Sequence, residues 1–338
     1  MFPLSPAEDA ARLPVAVLSG FLGSGKTTLL NRLLKDPRLA NTAVAINEFG
    51  AVPLDQHLID HGADKTVVMA NGCLCCNVAG DMEDAVMRIF TRRADGAVPH
   101  FDRLIVEPSG LADPAPIAEA ILRQPTLSRV MRLETIITVV DGLFGLRQLD
   151  EHPEARTQAE IADIRLVSKG DLADTAVLKD RLLALNAAAP VLDVRNGAVD
   201  PALLFSPAFL QPGSTASPIP HWLERHRGHA HRHGTDVASV SLVADRPLDW
   251  PRFDRWLRRV RTEHAADLLR VKGILGIEGR RRPVVIQGVH HVLHPPAELD
   301  AWPDADHRSR LVLILRGAAL AAAIEADWHA AITGGVPA

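Results

Sequence analysis

The chain has 338 residues, 47% of them hydrophobic, and a formal net charge of −4 at pH 7, which predicts two domains with packed cores and no polyanionic partner such as nucleic acid. Three cysteines are too few for a disulfide framework, and the acidic N-terminal stretch lacks the basic flank of a signal peptide. No apolar run reaches the roughly 18–20 residues that span a bilayer, so we expect a cytoplasmic protein without membrane contacts.

Short apolar segments alternate with longer helical patterns in the first part of the chain. The predicted strands are Val15–Ser19, Ala43–Asn47, Thr66–Met69, Leu104–Glu107, Thr135–Val140, Leu166–Ser168 and Val191–Val194. The predicted helices between them include Asp81–Ala94, Pro114–Arg123 and Asp174–Ala187. Strands that are apolar on both faces are typical of parallel sheets covered by helices. The alternation therefore predicts a doubly wound, mostly parallel α/β sheet.

The composition changes after this part of the chain. Residues 206–236 are rich in proline, glycine and histidine, which indicates a linker. A smaller α+β domain is predicted to follow, with strands Val237–Val243, Leu268–Ile277, Val284–Val289 and Leu311–Leu315 and a closing helix Ala318–Ala331. One further helix is indicated by an apolar face of Phe253, Trp256, Leu257 and Val260. We therefore predict domains at residues 1–205 and 237–338, joined by the linker.

The segment GFLGSGKTT, Gly20–Thr28, matches the pattern G-x-x-x-x-G-K-S/T between a predicted strand and a helical run. Its glycines let main-chain N–H groups face a phosphate chain, and the helix N-terminus adds positive potential. Lys26 is predicted to reach the β- and γ-phosphates, and Thr27 to bind Mg²⁺. The residues predicted to bind nucleotide here are Gly20, Gly23, Ser24, Gly25, Lys26, Thr27 and Thr28. The sheet is thus predicted to have the P-loop NTPase fold.

Two carboxylates compete for the second Mg²⁺ position. Glu107 ends the strand of RLIVEPSG and Asp141 ends TIITVVD, and a carboxylate at this edge of a parallel sheet usually faces the ligand. Either one can instead cap a helix. We predict Glu107 as the Mg²⁺ ligand, with the main-chain N–H of Gly110 sensing a γ-phosphate.

The segment VSKGD, Val167–Asp171, is similar to the guanine-reading Asn-Lys-x-Asp loop of GTPases. The carboxylate of Asp171 can accept two hydrogen bonds from guanine, and adenine lacks both donors. Lys169 is predicted to lie over the base. Ser168 replaces the usual asparagine, which helps hold the base and brace the phosphate loop, so we expect a lower nucleotide affinity.

Together these segments resemble the CobW family of metal-handling P-loop GTPases, more distantly related to HypB and UreG. The resemblance extends nearly end to end and includes INEFG, NGCLCC and EPSGLADP, together with VKGIL and VIQGVHHVLH in the C-terminal part. The departures are Ser168 and Pro108. The resemblance implies a slow GTPase, in which Lys26 and Glu48 are predicted to be the catalytic residues.

All three cysteines lie in ANGCLCC, the Cys-x-Cys-Cys signature of that family. Thiolates bind soft or borderline metals such as Zn²⁺ and Co²⁺, and alternate side chains of an extended segment share a face. We therefore predict Cys73 and Cys75 as the principal ligands and Cys76 as a third member of the site. Glu48, a histidine, water or a second protein would complete it. A structural cluster and a redox pair are the alternatives.

Other motifs are less specific. His229, His231 and His233 alternate in the linker, near His221 and His226, and such tracts bind metal or form a solvated linker. The pair His290–His291 is expected in the folded second domain. The run Arg280–Arg282 is expected to be a solvated turn, because no nucleic-acid motif accompanies it.

The leading hypothesis is a GTP-dependent metallochaperone that uses GTP and Mg²⁺, binds Zn²⁺ or Co²⁺ and delivers it to a client metalloprotein. A homodimer is kept as a possible assembly. One alternative is a P-loop kinase or an ATPase of another pathway. The other is a non-enzymatic metal buffer or sensor.

Overall fold

The computed structural model describes residues 3–47, 67–71, 91–93, 95–187, 189–194, 198–205 and 237–333. The chain divides into two compact units. The N-terminal unit contains Arg12–Leu183 and Ala189–Pro207; the C-terminal unit contains Ala208–Ala338 with Met1–Ala11 and Ala184–Ala188. The predicted domain boundaries stay predictions, and the predicted linker lies outside the described residues.

The N-terminal unit is built on a seven-stranded sheet. Its strands are β1 (Leu13–Ser19), β2 (Thr42–Asn47), β3 (Val67–Asn71), β4 (Arg103–Glu107), β5 (Met131–Asp141), β6 (Ile164–Ser168) and β7 (Val191–Asp193). Their order is β3-β2-β4-β1-β5-β6-β7, and every neighbouring pair is parallel. This order confirms the predicted doubly wound parallel sheet.

Helices precede and follow these strands along the chain. They are α1 (Pro6–Ala10), α2 (Lys26–Leu33), α3 (Ala115–Arg123), α4 (Pro125–Val130), α5 (Gly145–Glu151), α6 (Pro153–Ile161), α7 (Ala176–Leu185) and α8 (Pro201–Phe205). A 3-10 turn lies at Pro37–Leu39. Of the predicted helix Asp81–Ala94, the described residues 91–93 are helical, and the rest lies outside the described part.

Burial explains why the central strands read as continuous apolar runs. In β1 the four residues Val15–Leu18 are at most 1% exposed, so both faces of this strand are covered. Leu29, Leu30 and Leu33 of α2 belong to the same core cluster as Ala16 and Leu18. Packing α2 onto β1 fixes where the loop between them lies.

Strand β5 is longer than the predicted segment Thr135–Val140. Its first residues alternate between buried and half-buried, with Met131 and Leu133 buried and Arg132 and Glu134 between them. Glu134 forms an ion pair with Arg103, the first residue of β4, at 2.9 Å between Oε2 and Nε. This first part of β5 was not predicted from the sequence because its charged residues interrupt the apolar run. Only one face of the strand is fully apolar there.

The C-terminal unit contains an antiparallel sheet in the order β11-β10-β9-β13-β8. Its strands are β8 (Val237–Ala244), β9 (Leu268–Leu275), β10 (Val284–Val289), β11 (Val292–Leu293), β12 (Ala297–Glu298), which pairs with β10, and β13 (Ser309–Arg316). Helices α9 (Trp250–Glu263) and α10 (Ala318–Trp328) pack on the sheet, and π-helical residues His329–Thr333 follow. The predicted apolar face of α9 is buried in this core.

The N-terminal segment adjoins strand β12 of the C-terminal unit. The main-chain N–H of Leu4 donates to the oxygen of Pro296 at 2.7 Å, and the N–H of Glu298 donates to the oxygen of Leu4 at 2.8 Å.

Within the part of the chain that the structure describes, no helix has the length and apolarity needed to cross a bilayer.

Candidate functional site

The phosphate loop, Gly20–Thr28, leaves the end of β1 and enters α2. Gly20 has a φ of 144°, and a Cβ there would lie 2.3 Å from the main-chain oxygen of Val139 on β5. Gly25 precedes α2 with a φ of 95°. Non-glycine residues rarely adopt such angles. The two glycines therefore permit a sharp turn pressed against the neighbouring strand.

Lys26 and Thr27 are the first two residues of α2 and lie beside this loop. The Nζ of Lys26 donates to the oxygen of Gly20 at 2.9 Å, so the ammonium group lies across the loop. The Oγ1 of Thr27 donates to Oε1 of Glu107 at 3.1 Å. Glu107 ends β4 and is 4% exposed. The hydroxyl and the carboxylate thus form a small oxygen site beside a fixed cation.

Gly110 lies against the phosphate loop from the other side. A Cβ on Gly110 would lie 2.8 Å from the main-chain nitrogen and the Cδ2 of Leu22. The carbonyl oxygen of Gly110 accepts a hydrogen bond from Nε2 of Gln158 on α6 at 3.0 Å. The segment predicted to sense a γ-phosphate is therefore in contact with the loop predicted to bind it.

The predicted base-reading loop is bonded to the phosphate loop at two points. Ser168 donates its hydroxyl to the main-chain oxygen of Ser24 at 2.6 Å. Lys169, with a φ of 53°, donates from Nζ to the oxygen of Gly23 at 2.8 Å. Asp171 follows with an exposed side chain. Ser168 thus contacts the phosphate loop directly, and the lower nucleotide affinity expected from the loss of asparagine stays a prediction.

The structure separates the two competing carboxylates. Oδ1 of Asp141 accepts hydrogen bonds from the main-chain N–H groups of Leu143 and Phe144, and Oδ2 lies 2.6 Å from Nζ of Lys169. Asp141 therefore caps the turn before α5 and holds Lys169, whereas Glu107 contacts Thr27. The role of Glu107 as the Mg²⁺ ligand stays a prediction, and its contact with Thr27 is consistent with it.

A buried arginine supports the strand that leads into the base-reading loop. Arg165 on β6 is fully buried, and its guanidinium donates to the main-chain oxygens of Leu182 and Ala189. Burial lowers the pKa of Arg165 to about 9, so the side chain carries its charge at neutral pH. The guanidinium joins β6 to α7 and to the start of β7, which holds the end of β6 in place.

Several predicted site residues lie outside the described residues. These are Glu48 and the three cysteines Cys73, Cys75 and Cys76, together with the histidines of the linker. Among the residues that the structure describes, no group of three or more His, Cys, Asp or Glu side chains is placed to hold a metal ion. The metal site stays a prediction.

Two structural contacts of the site were not predicted from the sequence. Gln158 reaches Gly110 from 48 residues along the chain, and His152 stacks on Phe21 of the phosphate loop with ring centroids 4.6 Å apart. A glutamine in a helix and a histidine before one are common, and neither stands in a motif. Only the packing of α6 against the loop reveals them.

Both parts of the chain are similar to known protein families. Residues 14–193 match the family described as "CobW/HypB/UreG, nucleotide-binding domain", and residues 237–332 match the "Cobalamin synthesis protein cobW C-terminal domain". The zinc chaperone YjiA of Escherichia coli is 34% identical over 307 residues, which cover 89% of this chain and 93% of that protein.

The chain is also similar to a zinc-bound GTPase of known structure and to a zinc-regulated GTPase. The crystal structure of Zn(II)-bound YjiA GTPase from E. coli superposes with a TM-score of 0.68 at 26% identity, covering 98% of this chain and 99% of the other. The zinc-regulated GTPase metalloprotein activator 1 of Schizosaccharomyces pombe is 30% identical over 199 residues, which cover 56% of this chain and 47% of that protein.

Proposed function

The chain belongs to the CobW/HypB/UreG family, and we propose that it is a metallochaperone GTPase that passes Zn²⁺ or Co²⁺ to a client metalloprotein. It hydrolyses GTP to GDP and phosphate. The observation that best supports nucleotide hydrolysis is the contact of Thr27 with Glu107 next to Lys26. Mg²⁺ prefers hard oxygen ligands, and these two side chains supply them at the helix N-terminus where phosphates bind.

Each part of the site has a defined task in this proposal. Thr27 and Glu107 would hold Mg²⁺, which neutralises phosphate charge when bound. Lys26 keeps a positive charge at the β- and γ-phosphates, where negative charge develops during phosphoryl transfer. The main-chain N–H groups of Gly23–Thr28 and of Gly110 orient the phosphate chain. We keep Glu48 as a proposed catalytic residue.

Base choice is proposed to reside in Lys169 and Asp171. Lys169 is held by Asp141 and by Gly23, so its position is fixed before the base arrives. The exposed carboxylate of Asp171 is available to accept from the two guanine donors. Asp171→Asn should therefore lower the affinity for GTP and allow xanthosine triphosphate to bind. Competition between the two nucleotides for the site measures this change.

Metal binding is proposed for Cys73, Cys75 and Cys76. Strands β2 and β3 are parallel neighbours whose last paired residues are Asn47 and Asn71, and Ile46 is paired with Glu107. The two strands thus end side by side, about 4.8 Å apart, at the edge where Glu107 lies, and Glu48 and the cysteines follow these ends in the sequence. This shared edge supports coupling between bound nucleotide and metal affinity.

The test is a Co²⁺ titration followed by thiolate charge-transfer absorption, with Mg²⁺ and either a non-hydrolysable GTP analogue or GDP. We expect tighter binding with the analogue, by about 5- to 150-fold, the usual range of allosteric coupling. Lys26→Ala should abolish the difference in Co²⁺ affinity between the two nucleotides, because this variant should no longer bind either of them. Equal affinity in both states would reject the coupled mechanism and leave a GTPase that also binds metal.

Cysteine variants locate the metal ligands in the same titration. Cys73→Ser and Cys75→Ser should each remove most of the absorption, and Cys76→Ser should remove less. A chain without residues 226–233 is the control, since those histidines lie in the predicted linker. If that deletion removed the signal, the histidine tract and not the cysteines would be the site.

The two alternative functions give different results. A kinase or ATPase would prefer ATP in a panel of nucleotides. A metal buffer or sensor would transfer metal to an acceptor equally well with GTP and with its analogue. The cytoplasmic location, the client and a homodimer stay predictions.

A further inference from the structure

Gln158 of α6 is a buried side chain with both amide hydrogens directed at one short segment. Its Nε2 donates to the main-chain oxygen of Gly110 at 3.0 Å and to that of Ala112 at 2.9 Å. The residue is 0% exposed. The carboxamide therefore binds both ends of the segment Gly110–Ala112, which we call the sensor segment.

The orientation of this amide is determined by its neighbours. Two carbonyl oxygens can only be satisfied by the NH₂ group, so the amide oxygen must point away from the sensor segment. Within the described part of the chain, no protein group donates to Oε1 of Gln158. The hydrogen bonds recorded for this side chain are therefore the two that it donates to the sensor segment.

The sensor segment also contacts the phosphate loop. Gly110 approaches Leu22 so closely that a Cβ would lie 2.8 Å from its main-chain nitrogen and 3.0 Å from its Cα. The main chain of Gly110 thus contacts both Leu22 and Gln158. Its distance from the phosphate loop is set by these two contacts.

Helix α6 itself is anchored at two places. The hydroxyl of Thr138 on β5 donates to the main-chain oxygen of Gln158 at 2.8 Å. His152, directly before α6, stacks on Phe21 of the phosphate loop with an angle of 24° between the rings. The helix therefore connects the phosphate loop to the sensor segment as a rigid support.

We propose that Gln158 is a positioning residue that holds the sensor segment ready to bind a γ-phosphate and so sets the preference for GTP over GDP. This inference rests on the proposed nucleotide site. A segment that is already ordered loses little conformational entropy when the γ-phosphate binds. GDP lacks that phosphate, so its affinity does not depend on the sensor segment.

The experiment measures the affinities of the full chain for GDP and for a non-hydrolysable GTP analogue, both with Mg²⁺. Gln158→Met keeps the length of the side chain and removes both donated hydrogen bonds. We expect the analogue to bind at least about fivefold more weakly, as for the loss of one or two neutral hydrogen bonds, while GDP affinity is unchanged. Gln158→Glu, which places acceptors against the two carbonyl oxygens, should show a larger loss.

The matched control is Thr138→Val, which removes a buried hydrogen bond to the same residue of α6 without touching the sensor segment. It should leave the ratio of the two affinities unchanged. An unchanged ratio in both Gln158 variants overturns the inference, and so does an equal loss of GDP and analogue affinity, which indicates a merely structural role. If the unmodified chain bound neither nucleotide, the proposed function itself would fail.

Discussion

Ser168 joins the proposed base-reading loop to the phosphate loop through its hydroxyl. It is 8% exposed and lies 2.6 Å from the oxygen of Ser24 and 3.3 Å from that of Val140. Its hydroxyl can donate to only one acceptor at a time, and the shorter distance identifies Ser24 as the principal partner. The brace to the phosphate loop is therefore short and specific.

Ser168→Ala should weaken the binding of GTP analogue and GDP alike, because both use the phosphate loop. Without the bond to Ser24, the phosphate loop of the free chain can leave the arrangement that binds phosphate. If binding must restore that arrangement, the cost is at most the ~1–2 kcal/mol of the lost hydrogen bond, roughly a 5- to 30-fold loss in affinity. Isothermal titration calorimetry with both nucleotides checks this. Ser168→Thr, which keeps the hydroxyl, is the control and should bind nearly as well as the unmodified chain. A loss confined to GTP analogue would contradict the bracing role.

Residue roles can be predicted where a motif fixes chemistry at a spacing, and Lys26 and Thr27 stand in such a motif. The choice of Glu107 over Asp141 stays a prediction, which the contact of Asp141 with Lys169 supports. Gln158 could not be predicted, because its partners lie 48 and 46 residues away and are main-chain oxygens, which any residue possesses. A side chain that bonds to main-chain oxygens requires no particular residue type at the partner positions, so the sequence contains no pattern that predicts the bond.

At the scale of elements, the phosphate loop depends on how closely β1 and β5 approach each other. The two strands are paired in parallel from Leu13 to Ser19, with a register shift between Val15 and Ala16. The loop begins directly after this pairing, so Gly20 lies against Val139 of β5. The strand positions followed from apolar runs, but their register and this shift did not, because they depend on packing between distant segments.

Gly20→Ala should prevent formation of the nucleotide site. Its Cβ would overlap the main-chain oxygen of Val139, which cannot move without disturbing β5. Gly23→Ala is the matched control, since Gly23 also has a positive φ, 73°, but among the described residues, its chain neighbours aside, no atom lies within 4 Å of the added Cβ. The free energy of unfolding of this control variant should fall by about 1–2 kcal/mol, because of backbone strain alone.

Thermal unfolding and nucleotide titration of both variants separate these effects. We expect Gly23→Ala to bind nucleotide with reduced affinity and Gly20→Ala to show no measurable binding together with a larger loss of stability. Equal behaviour of the two variants would show that strain, and not the contact with β5, dominates at Gly20.

At the scale of the whole molecule, the two units have separate cores. The core of the C-terminal unit contains Trp328, which is 0% exposed and donates from Nε1 to the oxygen of Val243 at 3.3 Å. Every proposed nucleotide contact lies in the N-terminal unit. The two-unit organisation followed from the change in composition along the sequence, whereas the grouping of residues 1–11 with the C-terminal unit did not, because it depends on the pairing of Leu4 with Ala297.

Nucleotide should therefore slow amide hydrogen exchange in the N-terminal unit and leave exchange in the C-terminal sheet unchanged. At a ligand concentration of 100 times Kd, binding stabilises the folded form by about 2.7 kcal/mol. Exchange measured by mass spectrometry, with and without GDP, gives the protection of each peptide. Trp328→Ala is the control: it should destabilise the C-terminal unit by about 3–5 kcal/mol without changing the protection by GDP. Protection of β9 or β13 would show that the units respond together.

The bonds from Ser168 and Lys169 to the phosphate loop have a consequence for ligands smaller than a nucleotide. In the proposed site, the base and the phosphates would bind to two loops that are hydrogen-bonded to each other. If guanosine orders one loop, it should also order the proposed binding surface for pyrophosphate, and by reciprocity pyrophosphate should do the same for guanosine. The two fragments would therefore bind cooperatively, although they share no covalent bond, and the free energy of GTP binding cannot be divided into a base part and a phosphate part.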